Sequence, residues 1–463
     1  MIRIRTFALA LAPAAMGLAA LTIPVAAAAQ EAASAAERMA EATETEVNSG
    51  AFMGAVLVAG DNGPIFEEAF GSANLEWNVD NTTNTKFRIG SVTKQFTSVA
   101  IMLLAEQGAI DIDAPIATYL DDTPEAWNAI TVRQLMRHTA GLPNVTSLEG
   151  FGELSQLNTS QDELIATFRD LPLEFEPGSD WKYSNSGYVL LSRIVERVSD
   201  TSIGDYFGET FFAPLGMLET GFDDSSVILP FRAAGYSPGE GGRVNAGYIN
   251  MSIPTGAGAL YSTVGDLHRW NSALYGGEII SAESLAEFLT PSPLEAIGDD
   301  KYAHGVIVTA SDAGTYYWHG GGIQGFNAWL GYDPERRISV AVLGNLNGGA
   351  PTTIGQKLMT LVQGGEVILP SERVAAAISP EALAEYEGVY ALAPTFKITI
   401  FVDDGRLMGQ ATGQGANELF SEGDDRFFLK VVDAQVQFSR DDDGNVTSLT
   451  LFQGGQELPA PRE

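Results

Sequence analysis

The chain contains no cysteine. That excludes disulfides, thiol catalysis, cysteine-ligated zinc and a lipid-modified amino-terminal cysteine. Histidine is scarce as well. The four, at positions 138, 268, 304 and 319, show no His-x-x-x-His spacing, so no metal centre and no cofactor are expected. Positive charge is also in short supply. Lys and Arg number 26 against 59 Asp and Glu, a formal net charge of −33, which opposes binding to nucleic acid or anionic lipid and favours solubility. Beyond the first thirty or so residues no apolar run is long enough to span a membrane.

What is present is ample material for a core. The chain has 463 residues, 45% of them hydrophobic, so two or three globular domains are expected. Residues 1–29 read as an export signal, with Arg3 and Arg5 before an apolar middle and Ala27-Ala28-Ala29 as a small-residue cleavage site. The protein is therefore expected in a periplasm or secreted, with no stable membrane insertion once the signal is removed; an uncleaved anchor helix is the alternative. Residues 31–48 read as an Ala- and Glu-rich helix. Phe52–Ala59 and Pro64–Phe70, separated by Asp61-Asn62-Gly63, read as a hairpin.

The next stretch carries the chemistry. Apolar residues at 96, 99, 100, 103 and 104 predict a helix that Ser91 opens and Gly108 stops. Lys94 falls one turn after Ser91 on the same face. A cation is disfavoured at a helix N-terminus and in an apolar setting, so both effects push this lysine toward the neutral amine. A neutral amine beside a hydroxyl can activate a serine nucleophile. The blander reading is an N-cap serine with a surface lysine. A second Ser-x-x-Lys, Ser179 to Lys182, follows the turn Pro177-Gly178 and lacks a helix in phase.

Further along, residues 130–143 read as a helix stopped by Gly141 and Pro143, with His138 as a capping residue. Tyr183-Ser184-Asn185 forms a polar loop tip before a helix over Val189–Val198, although Tyr-x-Asn recurs at Tyr248-Ile249-Asn250. Thr263 or Ser262 caps a helix carrying His268 on its polar side. His319 is followed by Gly320, Gly321 and Gly322, which let a backbone approach closely, and then by strands at 327–332 and 338–343. From about 376 the texture changes to short alternating strands: Lys397–Val402, Arg406–Gln410, Arg426–Val432, Gln435–Ser439 and Val446–Phe452. These predict a small all-β barrel over 376–463.

Ser91-Val92-Thr93-Lys94, Tyr183-Ser184-Asn185 and His319-Gly320-Gly321, taken in order with Ile130–Pro143, resemble the serine β-lactamase and penicillin-binding-protein superfamily. The likeness is strongest to its class C, D-aminopeptidase and esterase branch, over about residues 48–362. Residues 376–463 resemble the lipocalin-like domains appended to some members.

The resemblance implies an α+β fold: an antiparallel sheet flanked by helices plus a helical subdomain over 30–370, then the barrel. It implies Ser91 as acylated nucleophile, Lys94 as its activator, and Tyr183 as base or proton relay, as a phenolate beside a Lys94 ammonium in one version. Asn185, His319 and Gly321 would bind substrate, and the backbone N–H groups of Ser91 and Gly322 would form the oxyanion hole. His319 stands where many β-lactamases have lysine, and a neutral imidazole there favours neutral substrates over carboxylates.

The function expected is an exported serine hydrolase using an acyl-enzyme on esters or amides, an esterase or D-amino-acid peptidase. A β-lactamase or DD-carboxypeptidase is the alternative, and a penicillin-binding sensor that acylates without turnover is a third. The partner is a small-molecule or short-peptide substrate, with oligomers through the C-terminal β domain left open.

Overall fold

The computed structural model describes residues 23–294, 298, 300–453 and 456–463. Most of the export segment expected over 1–29 lies outside the described residues. The helix read over 31–48 is Ile23–Asn48.

The hairpin forms as expected, Gly54–Gly60 against Gly63–Phe70. It is one edge of a seven-stranded antiparallel sheet. From the other edge the order is Lys301–Tyr302, Ile307–Ser311, Gly314–Ile323, Phe326–Asp333, Ile338–Gly344, Gly54–Gly60 and Gly63–Phe70. Val56, Val58, Trp329, Val340 and Val342 face one side, under the Ala350–Val362 and Ile23–Asn48 helices. Ala55, Leu57, Leu330, Ala341 and Leu343 face the other, against the Val264–Tyr275 helix and the helical subdomain. A central strand covered on both faces has no polar side, so these strands read as unbroken apolar runs.

The helical subdomain is built around Thr93–Glu106, buried on nearly every side, with Asn185–Ser199 packed across it. Two expectations change here. The helix read over 130–143 is only Val132–Met136, started by a Thr131/Gln134 capping box and ended by His138 in a left-handed conformation, φ +59°. The chain beyond it turns extended and pairs with the segment that carries Tyr183: Gly178 N–H donates to the Thr139 carbonyl and Lys182 N–H to the His138 carbonyl. The helix read from Val189 begins instead at Asn185, which moves Asn185 from a loop tip to a first helical turn.

The C-terminal domain is an eight-stranded antiparallel meander running from Gly388–Ala393 to Gln456–Pro461. Glu463 N–H donates to Val389 O at 2.8 Å and Tyr390 bridges Arg462, nearly closing the barrel. Tyr390, Phe427, Phe438 and Leu449 fill its interior. Five strands match the alternation seen in sequence, although the Arg426 strand ends at Phe428. Gly388–Ala393, Asn417–Gly423 and Gln456–Pro461 were not anticipated, being poor in β-branched residues. Ion pairs Lys357–Asp433 (2.9 Å) and Arg373–Glu422 (2.8 Å) lie at the junction between the domains. Among the described residues no helix is long and apolar enough to cross a membrane.

Candidate active site

Ser91 is presented by a tight 3-10 turn, Gly90–Val92, that runs directly into the Thr93–Glu106 helix. Gly90 enters that turn at φ +50°, a conformation that suits glycine. Its position is pinned by the Gly314–Ile323 strand. A Cβ on Gly321 would lie 1.9 Å from the Ile89 carbonyl oxygen, and one on Gly90 would lie 2.8 Å from Gly322 N. Only bare backbone fits at this crossing. The close approach brings Ser91 and Gly322 to the wall of one cavity of about 260 Å³.

Lys94 is fully buried, and its amine sits in a three-membered shell. Nζ lies 3.1 Å from Ser91 Oγ, 2.8 Å from Asn185 Oδ1 and 2.9 Å from the Ala257 carbonyl. Thr97 donates to the Gly256 carbonyl at 2.7 Å and so holds the 255–258 turn against the helix. Burial without a countercharge drives the Lys94 pKa well below its ordinary 10.5, favouring the neutral amine. A neutral amine has two N–H bonds and one lone pair. The Asn185 and Ala257 oxygens can only accept, so they take both N–H bonds, and the lone pair is left for the Ser91 hydroxyl.

Asn185 lines the cavity and also holds the Lys94 amine. Its Oδ1 accepts from Lys94, while its Nδ2 donates to Asn144 Oδ1 and Thr146 Oγ1, each at 3.2 Å. Asn144 also accepts the Asn185 backbone N–H at 3.0 Å. Asn185 therefore orients the amine, and Asn144 and Thr146 orient Asn185. Both lie within three residues after Pro143, but nothing in their spacing marks them.

The ring of Tyr183 lies 4.8 Å from Lys94 Nζ, measured to its centroid. Burial pushes its phenol far above the ordinary 10, and contact with Ser91 pulls it back only in part. That direction favours the protonated phenol over the phenolate that pairing with a Lys94 ammonium would need.

His319 is brought near but does not line the cavity. Nδ1 donates to the Gly320 carbonyl at 2.5 Å, which fixes the tautomer, and Nε2 accepts from the buried Tyr302 hydroxyl at 3.0 Å. Its pKa is pushed down to about 3, chiefly by burial. The imidazole is neutral and both nitrogens are engaged, so it presents no cation to a substrate. Tyr302 gave no sequence signal.

The other repeats of these motifs fall elsewhere. Lys182 pairs with Glu174 at the surface, and Ser179 caps back onto the Glu176 carbonyl. Tyr248 is 57% exposed, although its neighbour Ile249 lines the cavity. Among the described residues, no group of three or more His, Asp or Glu is placed to hold a metal ion.

The Beta-lactamase family model matches residues 35–362, and a domain of unknown function, DUF3471, matches residues 372–460. Penicillin-binding protein 4* of Bacillus subtilis is 28% identical over 437 residues, covering 89% of this chain and 95% of that protein. The octameric penicillin-binding protein homologue from Pyrococcus abyssi superposes with a TM-score of 0.64 at 26% identity, covering 90% of this chain and 97% of that one. The D-amino acid amidase of Ochrobactrum anthropi shares the fold, with a TM-score of 0.61 at 23% identity over 72% of this chain and 97% of that one. With the family match spanning most of its length and a serine facing a buried amine at its centre, the chain belongs to the Beta-lactamase family, within the serine β-lactamase-like superfamily.

Proposed function

We propose that this protein is an exported serine hydrolase that cleaves esters or amides through an acyl-enzyme, as an esterase or D-amino-acid peptidase. The observation that carries this reading is the Lys94 shell, two acceptors and one hydroxyl around a fully buried amine. Lys94 takes the Ser91 proton as Oγ bonds to the substrate carbonyl carbon. The carbonyl oxygen gains negative charge beside the N–H groups of Ser91 and Gly322, where losing one such donor costs about 3 kcal/mol. The bond to the leaving group then breaks, and that group takes a proton from the Tyr183 phenol, which recovers one from the Lys94 ammonium. Water repeats the sequence on the acyl-enzyme.

The preference for substrates without a carboxylate rests on the cavity wall. Val145, Phe151, Val189, Ile249, Ile253 and Ile323 line it with Thr146 and Gln324, and among the described residues no lining side chain is charged. A substrate carboxylate would be desolvated there without a partner. Similarity to penicillin-binding protein 4* favours the second reading, a β-lactamase or DD-carboxypeptidase. The octameric homologue from Pyrococcus abyssi supports an oligomer here too, and the C-terminal barrel is the contact we propose for it.

The test is side-by-side turnover of a chromogenic cephalosporin, a p-nitrophenyl ester and a D-alanine anilide. Ester or anilide turnover is expected to dominate, and cephalosporin turnover far above both would overturn the reading. Intact-protein mass spectrometry after a substrate pulse separates turnover from a sensor, which would retain its adduct.

A further inference from the structure

His138 lies outside the catalytic shell, and its side chain does more than end a helix. Its backbone carbonyl accepts the Lys182 N–H at 3.0 Å, and its ring Nδ1 accepts the Ser184 N–H at 3.2 Å. These are the residues on either side of Tyr183. The residue is 2% exposed and its ring packs at a 42° tilt against the Tyr183 ring, centroid to centroid 4.3 Å, with the Tyr302 ring at 4.6 Å. One residue thus holds the Tyr183 backbone at two points and the phenol face at a third.

The local backbone makes this grip feasible. The left-handed conformation at His138, φ +59°, is uncommon outside glycine, and histidine is one of the few other types enriched there. It turns the chain so that carbonyl and ring both address the same passing segment. A backbone N–H can donate only to an unprotonated Nδ1, so the proton of the neutral ring sits on Nε2. That buried Nε2 has no polar partner among the described residues. A histidine with one nitrogen used and the other left among aromatic rings is retained here for the Nδ1 acceptor and the ring's shape.

We propose that His138 is the positioning residue for Tyr183, fixing the phenol relative to Ser91 by gripping the residues before and after it. The proposal rests on the reading of Tyr183 as the proton relay. A displacement of about 1 Å at such a group lowers rate by about 10²-fold without weakening substrate binding.

The experiment compares His138→Gly with His138→Asn on a p-nitrophenyl ester, with Tyr183→Phe as reference. Glycine and asparagine both accept the left-handed backbone, so neither variant adds strain there. Glycine keeps the carbonyl bond to Lys182 and loses the Nδ1 acceptor and the ring. Asparagine offers Oδ1 to the Ser184 N–H. The expected result is kcat lowered about 10²-fold in His138→Gly with KM nearly unchanged, and recovery of about tenfold in His138→Asn. Rates are normalised to the folded fraction from circular dichroism. If His138→Gly keeps kcat within twofold while Tyr183→Phe is nearly inactive, the positioning role falls and the relay stands. Asparagine no better than glycine also overturns the positioning role. If Tyr183→Phe itself turns over normally, the relay falls and takes the proposal with it.

Discussion

Gly321 and Ile89 meet so closely that there is no room for even a methyl group between them: a Cβ on Gly321 would lie 1.9 Å from the Ile89 carbonyl oxygen. That contact fastens the sheet edge to the turn bearing Ser91. It sets the distance between the two backbone N–H groups proposed to hold the oxyanion.

Gly321→Ala should therefore damage catalysis more than stability. The strand or the turn must move, and the Gly322 and Ser91 donors separate. The expectation is a loss of kcat/KM of about 10²–10³-fold, the scale of one lost oxyanion donor, with a destabilisation of about 1–3 kcal/mol from overpacking. Steady-state kinetics and urea unfolding on the same preparation check both figures. A variant with normal kcat/KM would detach the oxyanion assignment from this crossing.

The neutral Lys94 amine predicts the acid limb of the acylation rate. Acylation should rise with pH through the depressed Lys94 pKa, well below 10.5, and level off once the amine is neutral. Asn185→Asp places a carboxylate where an amide oxygen now stands 2.8 Å from Nζ. An anion there stabilises the ammonium and raises the Lys94 pKa, so the limb should move to higher pH and the rate at pH 7 should fall by about 10²-fold or more. Pre-steady-state acylation followed by mass spectrometry from pH 5 to 10 measures the limb. An unmoved limb in Asn185→Asp would show that Lys94 is not the titrating base.

Three buried histidines predict a particular sensitivity to acid. His319 and His304 are each pushed down to about 3, and His138 is held well below 6.5, all chiefly by burial. In the unfolded chain each takes up its proton near 6.5. Between about 6.5 and 3 the unfolded state therefore binds more protons, and stability falls as pH drops through that window and is insensitive to these groups above it. Each histidine contributes a slope of about 1.4 kcal/mol per pH unit. Urea unfolding from pH 4 to 8 should show the decline, and His319→Gln should make it shallower by about one proton. An equal slope in that variant would mean that His319 does not stay neutral in the folded protein.

The barrel should prove dispensable for the chemistry. All the residues around Ser91 come from segments before residue 362, and the ion pairs at the junction are partly exposed, so each is worth about 0–1 kcal/mol. Deleting 376–463 is expected to leave ester turnover within about threefold while reducing any oligomer to monomer. Light scattering and turnover on the truncated protein test the two parts separately, and an inactive yet folded truncation would place the barrel in the catalytic unit.

Much of this molecule was legible from local pattern. The Ser91 helix, the first hairpin and the paired strands near 330 and 340 follow from periodicity, because each buries a continuous apolar face. The pairing of Ser91 with Lys94 follows from one helical turn. Patterns at short range were sufficient wherever the partners are neighbours in sequence or the apolar period is strong.

What only the tertiary structure decided is who touches whom across the chain. Sequence placed Asn185 on a loop; folding put it in a first helical turn and joined its amide to Lys94, Asn144 and Thr146. Sequence treated His138 as a helix stop, while the extended chain after it met the Tyr183 segment and turned it into a grip. The proton state of His319 could not be read from its type, because the Tyr302 hydroxyl, the Gly320 carbonyl and the surrounding burial together hold it neutral. Desolvation and hydrogen bonding depend on what the rest of the chain packs around a group, and that exists only once the chain has folded.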